Sequence, residues 1–77
     1  MIKAKSSFME ARLKAGFSMR ELAGAAGISY GAVFHIEHGK SVMPKSARKL
    51  CEVLGVEFDE VFMIVKKGRK ADGETGL

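Results

Sequence analysis

The sequence predicts an all-α domain of about five short helices, with apolar segments at its two ends that suit a small terminal β-element. Three observations carry this reading. Apolar side chains recur at three- and four-residue spacing along successive stretches of the 77-residue chain, the period of an amphipathic helix. Helix-opening residues stand at the starts of these stretches: Ser18 with Glu21 three positions later, Ser29, and Pro44. Gly16, Gly27, Gly39 and Gly55 stand at their ends, where helices commonly finish in a left-handed residue.

The first helix is expected from Ser6 or Ser7 to Ala15, with Phe8, Ala11, Arg12 and Ala15 at helical spacing. Ser18-Met19-Arg20-Glu21 fits a capping box, in which the serine hydroxyl and the glutamate carboxylate each take a backbone N–H. The helix it opens, Ser18 to about Ala25, turns Leu22, Ala23 and Ala26 inward, and its small residues permit a close helix crossing. Gly27 ends it, Ile28 plugs the turn, and Ser29 caps a third helix from Tyr30 to about His38. Val33 and Ile36 then face inward, which sends Tyr30, Gly31, Phe34, His35 and His38 outward. Pro44 suits the first turn of a fourth helix that runs to Leu54 and buries Ala47, Leu50, Cys51 and Leu54. Asp59 is expected to cap a last helical turn through Phe62. Phe62-Met63-Ile64-Val65 reads as a strand, able to pair with Met1 to Ala4 in an element that helps form a dimer.

Residues 1–67 are therefore expected to form one domain and residues 68–77 a polar, disordered tail. The apolar fraction of 47% supports a compact core. A domain of this size buries only about 60% of its unfolded surface, so its packing must be good or be extended by a second subunit. One cysteine excludes an internal disulfide, and Cys51 on the apolar stripe of the fourth helix reads as a core residue. Met9, Met19, Met43 and Met63 read as gap-fillers in the core. The longest apolar run, Val61 to Val65, is far short of the roughly 20 residues that cross a bilayer. No apolar stretch behind the basic N-terminus suggests a signal peptide, so a cytoplasmic, nucleoid-associated protein of bacterial or phage type is expected, with no membrane contact.

The net charge of +4 is a modest hint of an anionic partner, and its distribution is more informative. Lys40, Lys45, Arg48 and Lys49 lie in a stretch with no acid between Glu37 and Glu52, and Lys66, Lys67, Arg69 and Lys70 form a second cluster. Between Arg20 and Lys40 there is no Lys or Arg at all. The second cluster is either a solvated extension or a contact to a nucleic-acid backbone.

Two short helices joined by a glycine-centred turn, the second capped and amphipathic, describe a helix-turn-helix. Phe17-Ser18-Met19-Arg20-Glu21-Leu22-Ala23, Ala26-Gly27-Ile28-Ser29 and Val33-Phe34-His35-Ile36-Glu37-His38-Gly39-Lys40 resemble the phage Cro and repressor family, often called XRE-like. Pro44-Lys45-Ser46-Ala47-Arg48-Lys49-Leu50, Leu54-Gly55-Val56 and Phe58-Asp59-Glu60-Val61-Phe62 continue the likeness in order, so that it spans roughly Phe8 to Phe62. The resemblance implies a lambda-repressor-like bundle of five helices. It also implies a transcriptional regulator, most often a repressor, that binds double-stranded DNA as a homodimer. The third helix would lie in the major groove and the second would cross the backbone.

Carried over by position, the resemblance places Ser29, Tyr30, Gly31, Phe34 and His35 against base edges. It places Ser18, Met19, Arg20, His38, Lys40 and Lys45 at phosphates, and Arg12 and Glu37 in a buried ion pair between the first and third helices. Met19 stands where the family commonly has glutamine. Strong base readers are Arg for guanine and Asn or Gln for adenine, and the outward face of the third helix has none of them. Readout then leans on apolar contacts, backbone geometry and DNA shape. The alternative is a protein-interaction module, such as an antirepressor, corepressor or adaptor, that uses the Tyr30 and Phe34 surface. His35 and His38 lack convergent partners for a metal, no cofactor is implied, and no nucleophile with a base and an orienting group points to an enzyme.

Overall fold

The computed structural model describes residues 1–66, which form five helices and a two-stranded sheet. Strand β1 (Ile2–Ala4) leads into α1 (Ser6–Lys14), α2 (Met19–Ala26), α3 (Tyr30–Glu37), α4 (Pro44–Leu54) and α5 (Phe58–Val61), and the chain returns as β2 (Phe62–Ile64). The tail expected at residues 68–77, and Lys67, Arg69 and Lys70 of the basic cluster, lie outside the described residues.

Local chemistry sets the helix ends. The Ser18 hydroxyl accepts from the Glu21 N–H at 3.1 Å, and the Glu21 carboxylate accepts from the Ser18 N–H at 2.8 Å, closing the capping box of α2. Gly27 stops that helix at φ +73°, a left-handed conformation that side-chain-bearing residues rarely adopt. The Ser29 hydroxyl caps α3 through the Ala32 N–H at 3.0 Å. Pro44 occupies the first turn of α4. The cap of α5 differs from the sequence expectation. Glu57 is the residue before the helix, its N–H donating to the Glu60 carboxylate at 3.3 Å, and Asp59 lies inside the helical turn. Two acidic residues three apart can play the reciprocal roles, so the commoner aspartate cap was not the one used.

One core unites these elements. Phe8, Leu22, Val33, Leu50, Val61 and Phe62 are fully buried, with Ala23, Ala26, Ile36, Val42, Ala47 and Cys51 around them. The Phe8 and Phe62 rings lie 5.4 Å apart and Phe58 and Phe62 5.5 Å apart, joining α1 to the α5–β2 end of the chain. Helix α2 packs on α3 and α4, where Ala23 and Ala26 permit close approach, while α1 packs on α5. Leu54 is only half-buried. Three methionines expected in the core are on the surface instead: Met9, Met43 and Met63 are exposed, and Met19 alone of the four packs partly against the core. Met9 stands beside the buried Phe8 on α1 and Met63 alternates with the buried Phe62 along β2, so the backbone that turns those rings inward turns the methionines away.

The terminal segments pair within one chain. Strands β1 and β2 are antiparallel, with Ile2 opposite Ile64, Lys3 opposite Met63 and Ala4 opposite Phe62. The Lys5 N–H to Val61 O bond at 2.8 Å and the Val65 N–H to Met1 O bond at 2.7 Å extend the pairing at its two ends. Val42 donates to the Ile2 carbonyl at 2.8 Å on the other side of β1, so β1 is central and the outer edge of β2 has no partner among the described residues.

A buried ion pair crosses the bundle. Arg12 directs Nε and Nη2 to the Glu37 carboxylate at 2.5 and 3.1 Å, and Nη1 donates to the Phe17 carbonyl at 2.9 Å. Both side chains are more than nine-tenths buried. Removing one partner of such a pair strands the other charge in the interior, at a cost of about 3–5 kcal/mol. Glu37→Ala is therefore expected to lower Tm by roughly 10 °C or more. The double variant Arg12→Met/Glu37→Leu should recover much of that loss. Thermal and urea unfolding check both, and an unchanged Glu37→Ala midpoint would overturn the reading.

Candidate nucleic-acid interface

Helix α3 divides its residues by side. Val33 and Ile36 are buried, while Tyr30 and Phe34 keep 40% and 37% of their surface exposed, and His35 and His38 are exposed as well. Tyr30, Phe34 and His38 succeed one another at four-residue intervals and form a row along the outer face. The Tyr30 and Phe34 rings lie 6.2 Å apart, Phe34 meets the edge of His35 at 5.8 Å, and Phe34 stacks on His38 at 4.0 Å. His38 Nδ1 lies 2.8 Å from the Phe34 carbonyl oxygen. A carbonyl can only accept, so Nδ1 is the donor in this bond.

The N-terminus of α2 joins this face from the side. The Arg20 guanidinium lies 4.7 Å above the centre of the Tyr30 ring, within cation–π range. Arg20, assigned to a phosphate from its place in the sequence, is thereby drawn onto the edge of the α3 row. Ser18 is exposed at the start of α2 with its hydroxyl engaged in the capping box, and Met19 is half-buried against the core. Met19 therefore offers a backbone N–H to an anion, since first-turn amides lack partners within their own helix. The Glu21 carboxylate is held below its ordinary pKa, first by the Ser18 backbone N–H and then by the Ser18 hydroxyl.

Lys40 and Lys45 are exposed as well, Lys40 just after α3 and Lys45 in the first turn of α4. Arg48 is engaged with Glu52 one turn on, at 3.4 Å on the surface. The α3 row thus has cations beside it and none on it. Ser29 is exposed and serves as the α3 cap. Gly31 is half-buried, and a Cβ built there would meet only the Ser29 hydroxyl, at 3.9 Å. The fold itself does not require a glycine at this position. A helical glycine costs up to about 1 kcal/mol against alanine. The open Cβ space permits close approach by another molecule from outside.

Elsewhere, a shallow groove of about 390 Å³ runs between α1 and the α4–α5 end, lined by Ala11, Lys14, Leu54, Val56 and Glu60 among others. Burial raises the Cys51 thiol pKa, with Glu57 and Glu60 adding to the effect, so the group stays protonated. No cluster of three metal-ligating side chains occurs among the described residues, and no helix among them is long and apolar enough to cross a membrane.

The Arg20–Tyr30 contact was not anticipated from the sequence. The two residues belong to different helices, and only the placement of the α2 start beside the α3 start brings them together. The Phe34–His38 stack had a signal in its four-residue spacing.

A family model described as helix-turn-helix matches residues 8–61, which takes in all five helices from Phe8 of α1 to the last residue of α5. A search of curated proteins found no match.

The depressed Glu21 pKa gives the α2 cap a pH signature. A carboxylate whose folded value lies below its unfolded value stabilises the fold above the unfolded pKa, and that stabilisation disappears as pH falls through the folded one. Carboxyl NMR titration should give Glu21 a midpoint below the ordinary glutamate value, and Ser18→Ala should raise it. A wild-type midpoint at the ordinary glutamate value would show that the capping box is not formed.

Proposed function

Because the chain belongs to the XRE-type, Cro/CI-like helix-turn-helix family, whose members are DNA-binding regulator domains and not enzymes, we propose that it is a sequence-specific repressor that lays α3 in the major groove of double-stranded DNA. The observation that carries this is the sidedness of α3. Its inner side is built into the core, and its outer row of Tyr30, Phe34, His35 and His38 is left exposed. An α-helix fits the width of the major groove. Arg20, Lys40 and Lys45, with the α2 amides, flank that row where phosphate strands would run on either side of the groove. Base contacts fall to Ser29, Tyr30, Gly31, Phe34 and His35, and phosphate contacts to Ser18, the Met19 amide, Arg20, His38, Lys40 and Lys45.

Regulators of this architecture bind as dimers to half-sites about one DNA turn apart. A homodimer is supported here by the exposed Met63 and Ile64 on β2, whose outer edge carries no partner among the described residues. Sedimentation equilibrium across a concentration series tests it, and a monomer throughout the micromolar range would remove it. Repression follows from occupancy: a bound domain denies the site to other proteins, and a promoter–reporter assay with the selected site reads this out.

Selection of binding sites from a random duplex pool with the purified protein, followed by affinity measurement over a salt series, tests the main proposal. The chain has one tyrosine and no tryptophan, so emission excited beyond the phenylalanine absorption band comes from Tyr30 alone and reports contact at the proposed face. Lys40→Ala should weaken binding to all duplexes alike and reduce the salt slope by about one. Gly31→Ala and Gly24→Ala should each leave the fold intact or slightly more stable, since a Cβ at Gly24 meets nothing within 4 Å. Only Gly31→Ala should weaken DNA binding. Equal binding by the two alanine variants would argue against α3 in the groove.

The exposed Tyr30–Phe34 pair also favours a second reading, a protein-interaction module on the same scaffold. Absence of salt-sensitive binding to any duplex, together with a protein complex abolished by Phe34→Glu, would select it.

A further inference from the structure

The geometry points to Phe34 as a reader of pyrimidine C5-methyl groups, so that α3 separates thymine from uracil and 5-methylcytosine from cytosine. This inference rests on the DNA-binding reading above and supplies its chemical vocabulary.

From Ser29 to His38 the sequence contains no Arg, Lys, Asn or Gln, so α3 has no side chain that can bond a purine edge bidentately. The C5-methyl is the one apolar feature of a base edge in the major groove, and it is the natural partner of an exposed aromatic ring. The ring in question is already fixed. His38 covers one side at 4.0 Å and is itself tied to the Phe34 carbonyl, while His35 meets it edge-on at 5.8 Å and Tyr30 stands 6.2 Å away. Little rotamer freedom remains to be lost on contact, so a small apolar partner suffices. Gly31, three residues earlier on the helix, leaves the backbone bare beside the ring and permits the close approach that a methyl contact needs. The Arg20 guanidinium lies over Tyr30, and Phe34 keeps 37% of its surface exposed.

The contact has a clean chemical probe. Thymine and uracil present the same O4 acceptor, and cytosine and 5-methylcytosine the same N4 donor, so exchanging them changes the methyl while the hydrogen-bonding groups stay constant. Removing one methyl from a buried contact is expected to weaken binding about fourfold.

The experiment uses a duplex recovered by site selection, remade with deoxyuridine at each thymine in turn and, separately, with 5-methylcytosine at each cytosine in turn. Binding is followed by competition at fixed salt. At least one deoxyuridine exchange should weaken the wild-type protein by about three- to fivefold. Phe34→Ala, with its fold checked by circular dichroism, should bind the thymine and deoxyuridine duplexes equally. Equal affinity of the wild-type protein for every exchanged duplex would overturn the inference while leaving DNA binding standing. A difference that persists in Phe34→Ala would overturn it too, assigning the effect to DNA shape or another residue. Failure to bind any duplex would instead remove the DNA-binding reading on which it rests.

Discussion

The structure turns on where one guanidinium goes. Arg12 comes from the last turn of α1 and spends all three nitrogens inside the protein, two on the Glu37 carboxylate at the end of α3 and one on the carbonyl of Phe17. Phe17 is the residue before the cap of α2, so one side chain holds the first helix, the entry to the second and the exit of the third. The planar fork of arginine matches the two carboxylate oxygens and still has a donor left for the carbonyl, which a lysine ammonium would not supply with the same fixed geometry. Apolar packing brings α2 and α3 together. The polar lock restricts their relative register, because a buried charge that slips from its partner meets no water to replace it.

Much of this was legible in the sequence, because helix boundaries are written in local chemistry. Ser18 with Glu21, Ser29, Pro44, Gly27 and Gly55 act within a few residues of themselves, and all stand at the helix ends they signalled. The inward faces of α2 and α3 followed from spacing alone. What depends on distant parts of the chain was less legible. The Val42 bridge to Ile2 joins a loop to a strand forty positions away, and no local pattern marks it. The outward methionines were misjudged because an apolar side chain on a helix or loop does not disclose whether the interior still has room. Glu57 displaced Asp59 as the cap because several acidic residues in one short turn compete for the same role.

The candidate face was readable as a set of residues and unreadable as an arrangement. That Tyr30, Phe34 and His38 point outward follows from helical periodicity. That Arg20 settles over Tyr30, and that His38 is fastened beneath Phe34, depends on side-chain choices the sequence leaves open. Those choices give the outer row a divided chemistry. Positive charge is confined to its margins, and its centre is a surface of rings. Such a division assigns attraction and discrimination to different atoms: the margins act over several ångströms and are screened by salt, whereas the rings act only in contact.

The bare Cβ position at Gly31 has a bearing on how such a protein changes over generations. The interior side of α3 is fully committed to Val33 and Ile36, but among the described residues only the Ser29 hydroxyl, at 3.9 Å, comes within van der Waals reach of a Cβ at position 31. Inherited substitutions there meet open space, so the folded state does not filter them and only the partner does. A newcomer with an amide side chain would bring a hydrogen-bonding preference where none exists. The preference of the protein for its target can thus drift, or be redesigned, without passing through a misfolded ancestor.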